Sequence, residues 1–428
     1  MIYIYSNNNS KRLQYTLDVI FKTILQVDFK WVAKEAFVAE TKAPKINYSD
    51  EELSASIWIK PHELLFEKNI HPQNIQVTHK KEIPYFFKTA KSGLFQFDLF
   101  ASSFYMLSRY EEYLPFIADE HGRFTAQESL ACKTNFLHLP VVHWWARLLR
   151  DLILKKHPEF LFPTSVFTQA NTIDVDIAYA YKGKPFKRRL GGFIRSFLSF
   201  NFQDIKNRVA YSFGVKDPYD TYDLLAKIHA KSNAENTYFF QVGAHGVHDK
   251  NLPLNKVMQK LITRIATYAS IGIHPSYESN TSIETLQKEF QDLSELLGKS
   301  VTKSRQHYLK MRLPETYENL ISIGVQEDYT MGFPDIIGFR AGMAMPFPFF
   351  NLQTNKQRPF MIVPFQLMDG TLKDYMKLAP EEAILKVQEL KKAIREVNGQ
   401  FVSIFHNSSL TDQGEWKGWL AVFKEVLN

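Results

Sequence analysis

From residue 164 onward the chain alternates short β-branched and aromatic runs with amphipathic helical stretches, and no other feature narrows the fold so far. The strand-like runs are 166–173, 237–242, 271–274, 301–308, 337–340, 361–368 and 401–406. Between them, 282–297 sets Ile283, Leu286, Phe290, Leu293 and Leu297 along one helical face, and 380–397 has the same character. Strands joined through helices pair in parallel, because each helix carries the chain back across the sheet. About seven such runs, nearly all ending on a polar or titratable residue, predict an α/β fold closed into a (β/α) barrel with those ends at one mouth.

At 428 residues the chain exceeds the size at which one core stops growing, so two domains are expected. The first third mixes strand-like pieces (1–5, 37–38, 55–59) with helical ones such as 10–25 and reads as a smaller α/β module. Within it, 98–113 places Leu99, Phe100, Ser103, Phe104 and Leu107 on one helical face; its Arg109, Glu111 and Glu112 read as a solvated or interdomain salt-bridged helix end. Residues 119–123 form a polar turn. A helix over 140–157, dense in apolar groups, suits a place between modules, and Pro158 and Pro163 set the boundary just beyond it. The expected division is an accessory module, 1–162, followed by the barrel, 163–428.

A 45% hydrophobic content with mixed charge describes an ordinary globular chain, and 35 Phe and 20 Tyr favour large packed cores. The net charge of +7 and a pI near 9.0 imply a mild attraction to anions without pointing to nucleic acid, which is not expected as a partner. Cys132 is the single cysteine, so no internal disulfide forms. The opening apolar run stops at Ser6, too short for a signal sequence, and no run approaches the roughly 18 apolar residues of a membrane span. A cytoplasmic place is expected. Residues 181–213 interleave Lys182, Lys184, Lys187, Arg188, Arg189, Arg195, Lys206 and Arg208 with Phe186, Phe193, Phe197, Phe200 and Phe202. They read as a peripheral contact with the inner membrane surface, as a guide for an anionic substrate, or as a solvated helix pair. The oligomeric state is not legible.

The strand ends carry the chemistry: Asp174 and Asp176 on the first, His274 on the third, Arg305 and His307 on the fourth, Arg340 on the fifth, Asp369 after the sixth and His406 on the last. Burying two carboxylates one residue apart costs several kcal/mol unless they are paired or hold a metal. Two imidazoles and a carboxylate suit zinc or a similar divalent ion with a position left for water, while a second carboxylate can take that water's proton and a further histidine can give one to a leaving group. Asp174-Val175-Asp176 equally matches the metal–nucleotide pair of glycosyltransferases. His245 and His248 have ligand-like spacing but lie in a glycine-containing loop and are read as loop residues. Trp416 and Trp419 read as packing of the last helix.

Six stretches stand in an order that resembles the polysaccharide deacetylases, the NodB-homology carbohydrate esterases: Thr172–Asp176, Gly272–Tyr277, Ser304–Leu309, Asp328–Gly332, Gly338–Gly342 and Ser403–Asn407. The likeness is to a divergent branch associated with surface-glycan biosynthesis that carries an extra N-terminal module. It implies a distorted seven-stranded (β/α) barrel, a divalent metal, zinc for preference, and hydrolytic removal of an acetyl group from a glycan or its lipid-linked precursor. Matched to the family pattern, Asp174 corresponds to the general base, Asp176 and His274 to metal ligands, and His406 to the proton donor. Arg340 resembles the arginine that keeps the base ionised, with Arg305 a rival. The position of the second metal histidine holds Glu278. Either Glu278 ligates, or His307 reaches in from the next strand, or the metal is lost; His307 is favoured because it keeps a second imidazole. Asp369 is the candidate for orienting His406. A barrel that has lost catalysis and serves as a glycan-binding scaffold is the alternative.

Overall fold

In the computed structural model, which describes residues 1–90 and 95–428, two mainly parallel sheets are laid down in chain order. The first contains β1 (Ile2–Ser6), β2 (Phe29–Trp31), β3 (Lys45–Tyr48) and β4 (Ile57–Trp58) in the order β2-β1-β3-β4. All of its neighbours are parallel. The Ser10 side chain caps the helix Lys11–Leu17 by accepting from the Leu13 N–H. Asp98 caps Leu99–Leu107, taking the Phe100 and Ala101 N–H groups at 2.9 and 3.0 Å, while Tyr48 donates its hydroxyl to the same carboxylate at 2.6 Å. One buried acid thereby ties β3 to the helix. All nine residues of Leu99–Leu107 are buried, where the sequence suggests a single buried face. The hydroxyls of Ser102 and Ser103 make this tolerable by donating to the carbonyls four residues back, at 2.8 and 2.7 Å.

A short antiparallel ladder, β5 (Thr78–Lys80) with β6 (Ile83–Tyr85), lies beside the helix Val141–Lys156, whose Trp145 donates its indole N–H to Pro84 at 2.9 Å. The second sheet follows. Its strands are β7 (Thr168–Val175), β8 (Glu235–Phe240), β9 (Ser270–Ile273), β10 (Lys303–Ser304), β11 (Glu327–Asp328), β12 (Phe347–Asn351), β13 (Lys356–Ile362), β14 (Leu367–Met368) and β15 (Gln400–His406). Their order is β12-β13-β11-β10-β9-β8-β7-β15-β14, and only the β12–β13 pair is antiparallel.

One stretch joins the two flanks. β13 pairs with β11, and a short step further along the chain β14 pairs with β15. Between them, Phe365 donates to Met331 and Gln366 to Val402, at 3.1 and 3.0 Å, so residues 356–368 cross from one side to the other and the sheet curls on itself. Pro364, which has no N–H to donate, lies in the break. The sheet therefore has nine strands where the sequence suggests about seven. The expected strand 337–340 is a correction: this segment is irregular, and Glu327–Asp328 takes the ladder place beside β10. Gly338 shows the cause, with φ of +139° and the Leu137 carbonyl 2.6 Å from where a Cβ would stand; there the chain is pressed against the N-terminal third.

The apolar core reflects that pressing. A single buried cluster runs from Ile2 and Ile4 through Phe104 and Trp145 to Phe347, Phe350, Phe360 and Ile362, so β12 and β13 share a core with the first sheet. Tyr15 packs on Phe350 with ring centroids 5.0 Å apart and donates its hydroxyl to Pro348 at 2.8 Å. A second cluster lies between the curled sheet and its outer helices, and a small third one fills the sheet's inner face.

Candidate metal centre

Successive side chains on a strand point to opposite faces, which explains the spacing of the two acids. Ile173 and Val175 enter the core under the outer helices, so Asp174 and Asp176 share the inner face at the C-terminal end of β7. The parallel neighbours bring their own ends to the same place: His406 pairs in register with Asp174, His274 follows β9, and Arg305 and His307 follow β10.

Donor atoms of Asp176, His274 and His307 all lie within 4.8 Å of one another. His274 Nε2 is 3.1 Å from Asp176 Oδ1, and His307 Nε2 is 3.6 Å from Asp176 Oδ2. Each imidazole is oriented from behind. His274 Nδ1 is 2.5 Å from the Arg305 carbonyl, which can only accept, so Nδ1 carries the proton and Nε2 offers its lone pair to the cluster. His307 Nδ1 is held in the same way by the Asp249 carboxylate at 2.9 Å. Asp176 Oδ1 is buried and forms no hydrogen bond of acceptable direction, an oxygen left for a cation.

Two further groups flank this trio. Asp174 Oδ1 accepts from Arg305 Nη1 at 2.8 Å, and Oδ2 is 4.0 Å from His274 Nε2. Arg305 is wholly buried, with its guanidinium 4.7 Å from the centre of the Phe239 ring. On the opposite side, His406 Nε2 is 3.5 Å from Asp176 Oδ2, and its Nδ1 donates to Asp369 at 2.8 Å. Asp369 is fixed in turn by the His406 N–H at 2.8 Å and the Ser409 hydroxyl. Burial alone would raise the Asp176 carboxyl, but the His307 and His406 imidazoles outweigh it and hold the group well below the usual carboxylate range. Burial would likewise lower both histidines; Asp176 and Asp249 bring His307 up to about 9, and Asp369 and Asp176 bring His406 up to about 10.

Glu278 and Arg340 lie elsewhere. Glu278 is exposed at the start of a short helical turn, outside the donor cluster. Arg340 is buried against Glu112 at 2.7 and 2.9 Å and the Gly332 carbonyl at 2.9 Å, so Arg305 is the arginine on Asp174. His245 is exposed, and His248 stacks on Tyr277 with ring centroids 4.0 Å apart. Two residues escape the sequence reading. Asp249, immediately after His248, is drawn inside because its loop turns back on itself through a Gly246 N–H to Asp249 carbonyl bond of 2.9 Å. Arg123, from the polar turn of the N-terminal third, lines the cavity and donates to the Tyr308 carbonyl at 2.5 Å. The cavity measures about 280 Å³, with Tyr308 and Tyr375 among its walls.

Residues 2–158 match a family of unknown function (DUF7033). No curated protein sequence matches the chain. Among solved structures, it is similar to a proposed polysaccharide deacetylase from Mycobacterium smegmatis, at 17% identity and a TM-score of 0.41 over 62% of this chain and 85% of that one. Another, from Pseudomonas aeruginosa PAO1, gives 13% and 0.38 over 61% and 84%. Likenesses this distant carry no weight for the chemistry, which stands on the side chains.

Proposed function

We propose that this chain is a metal-dependent hydrolase that removes an acetyl group from a sugar of a cell-surface glycan or its precursor. One observation carries the reading: Asp176, His274 and His307 converge with both Nε2 atoms turned inward, between a carboxylate and a histidine that each have their own buried partner. The donor set is that of an open zinc site. Counting 356–368 as one strand and setting β12 aside leaves seven positions around the curled sheet, which supports the barrel reading. The division at 162/163 then separates the barrel from a module that braces it.

When bound, a divalent cation supplies Lewis acidity to water and to the acetyl carbonyl. Asp174 Oδ2, left without an arginine contact, accepts the proton of the attacking water, while Arg305 holds the other carboxylate oxygen in place. His406, its Nδ1 proton anchored on Asp369, gives its Nε2 proton to the departing amine or alkoxide. Tyr308 and Tyr375 offer faces for a sugar ring.

The test is elemental analysis of the purified protein together with acetate release from acetylated sugar oligomers. One equivalent of metal and release abolished by chelation support the reading. A chain that retains no metal on zinc loading overturns it in favour of a non-catalytic glycan-binding barrel.

A further inference from the structure

Half of the large apolar side chains that the described residues expose fall in residues 186–215. In the helix Phe186–Leu198, Phe186, Leu190, Phe193 and Phe197 recur at one-face spacing, and Phe186 and Phe197 are 75% and 65% exposed. The following helix, Phe202–Ser212, has no buried residue, and Phe213 beyond it is 86% exposed. The first helix is tied to the second through the Ser196 hydroxyl, which donates to Asp204; the same carboxylate accepts from the Tyr181 hydroxyl, ahead of the first helix, and from Arg208 Nε on its own helix, each at 2.6 Å. Between them runs an open groove of about 340 Å³ whose apolar walls are formed by Leu190, Phe193 and Phe213, with Arg189 and Arg208 beside them.

Charge follows the same pattern. From residue 177 to 203 the chain has no acid, while Lys182, Lys184, Lys187, Arg188, Arg189 and Arg195 all fall there. The segment leaves the sheet at the C-terminal end of β7, on the side of the metal centre. Arg188 Nη2 donates to the carbonyl of Lys250, a residue that lines the cavity, at 3.2 Å. No helix among the described residues is long and apolar enough to cross a membrane.

We propose that this helical hairpin docks the protein on an anionic phospholipid bilayer, with the cavity mouth beside the membrane. Apolar side chains rimmed by cations, on a first helix that carries no acid, fit the boundary between acyl chains and anionic headgroups. A second copy fits worse, since pairing two such faces sets like charges against each other. The docking does not depend on the hydrolase reading; where both hold, the substrate is a lipid-anchored glycan.

Co-sedimentation of the full chain with vesicles tests this. Vesicles of phosphatidylcholine and phosphatidylglycerol in equal parts should carry the protein down, and vesicles of phosphatidylcholine alone should not. The double variant Phe193→Ser/Phe197→Ser and the triple variant Lys187→Gln/Arg189→Gln/Arg195→Gln should each weaken binding at least tenfold with unchanged melting temperature. Absence of binding to the mixed vesicles, equal binding to both kinds, or unaltered binding by both variants overturns the proposal. So does a dimer in light scattering that the double variant abolishes while vesicles leave the protein in solution. None of these readouts involves metal or turnover, so their failure leaves the hydrolase reading standing.

Discussion

Asp174 and Asp176 are the same residue type in two settings, and the settings divide the work. Arg305 occupies one oxygen of Asp174, whereas Asp176 faces imidazoles. Asp174→Asn removes a proton acceptor while nearly keeping the shape, so acetate release should fall by about 10²–10⁴ with metal content unchanged; a near-normal rate rules Asp174 out as the base. His307→Ala should strip most of the metal, whereas Glu278→Gln should leave elemental analysis as in the wild type. The reverse result would move the ligand role to Glu278. Strand-end acids and histidines were readable because chain order in a parallel sheet fixes which ends meet. Which arginine holds Asp174 was not readable, since Arg305 and Arg340 each stand on a strand-like run and only the fold shows that 337–340 is no strand. Asp249 was hidden for another reason: in sequence, nothing separates an acid that braces a histidine from one that faces water.

At the level of elements, the turn after β10 is strained. Tyr308 and Leu309 both have positive φ, 59° and 52°, a conformation that costs non-glycine residues about 1–3 kcal/mol each and persists only where surroundings enforce it. Part of the enforcement comes from the N-terminal third, through the Arg123 bond to the Tyr308 carbonyl; Arg123 is itself set by Asp119 at 2.7 Å. Arg123 is thus a positioning residue for His307. Arg123→Ala should weaken metal binding about tenfold in competition with a chelator, the usual size of such supporting effects. Unchanged affinity would limit Arg123 to lining the cavity. Short length hides strand bounds. β11, which no expected run covers, and β10 and β14, which fill only part of the expected runs 301–308 and 361–368, have two residues each, too few for a period-two pattern to emerge, and their pairing is decided by neighbours. The long β7 and β15 were legible because an unbroken run of buried side chains fills most of each, and the helix Val141–Lys156 because its buried side chains recur along one face.

Across the whole molecule, the N-terminal third and the curled sheet meet over a continuous core and a buried ion cluster. Glu112 bridges Arg109 and Arg340, and Arg109 also holds Glu111 at 2.8 Å, all four side chains lying almost entirely out of water. Glu112→Gln leaves two buried guanidinium groups short of a counter-charge and should destabilise the fold by about 3–5 kcal/mol in urea unfolding. The same seam contains His143, whose Nε2 accepts from the Ala344 N–H at 3.1 Å, and burial pushes this imidazole down to about 3. In the folded protein it therefore stays neutral through the range where the unfolded chain, with an ordinary histidine pKa of about 6.5, takes up a proton. The unfolded state binds more protons between those two values, so the stability due to this group is present above about pH 6.5 and is lost as the pH falls toward 3. Between about pH 7 and pH 5 the loss amounts to about 2 kcal/mol for one such histidine. His143→Gln can still accept from Ala344 but does not titrate, so its unfolding free energy should drop by about 2 kcal/mol less than the wild type's over that interval. Equal drops in the two proteins would mean that the seam admits a charged His143 without cost and that acid sensitivity has its origin elsewhere, His229 being the next group to replace, since burial pushes it down to about 4.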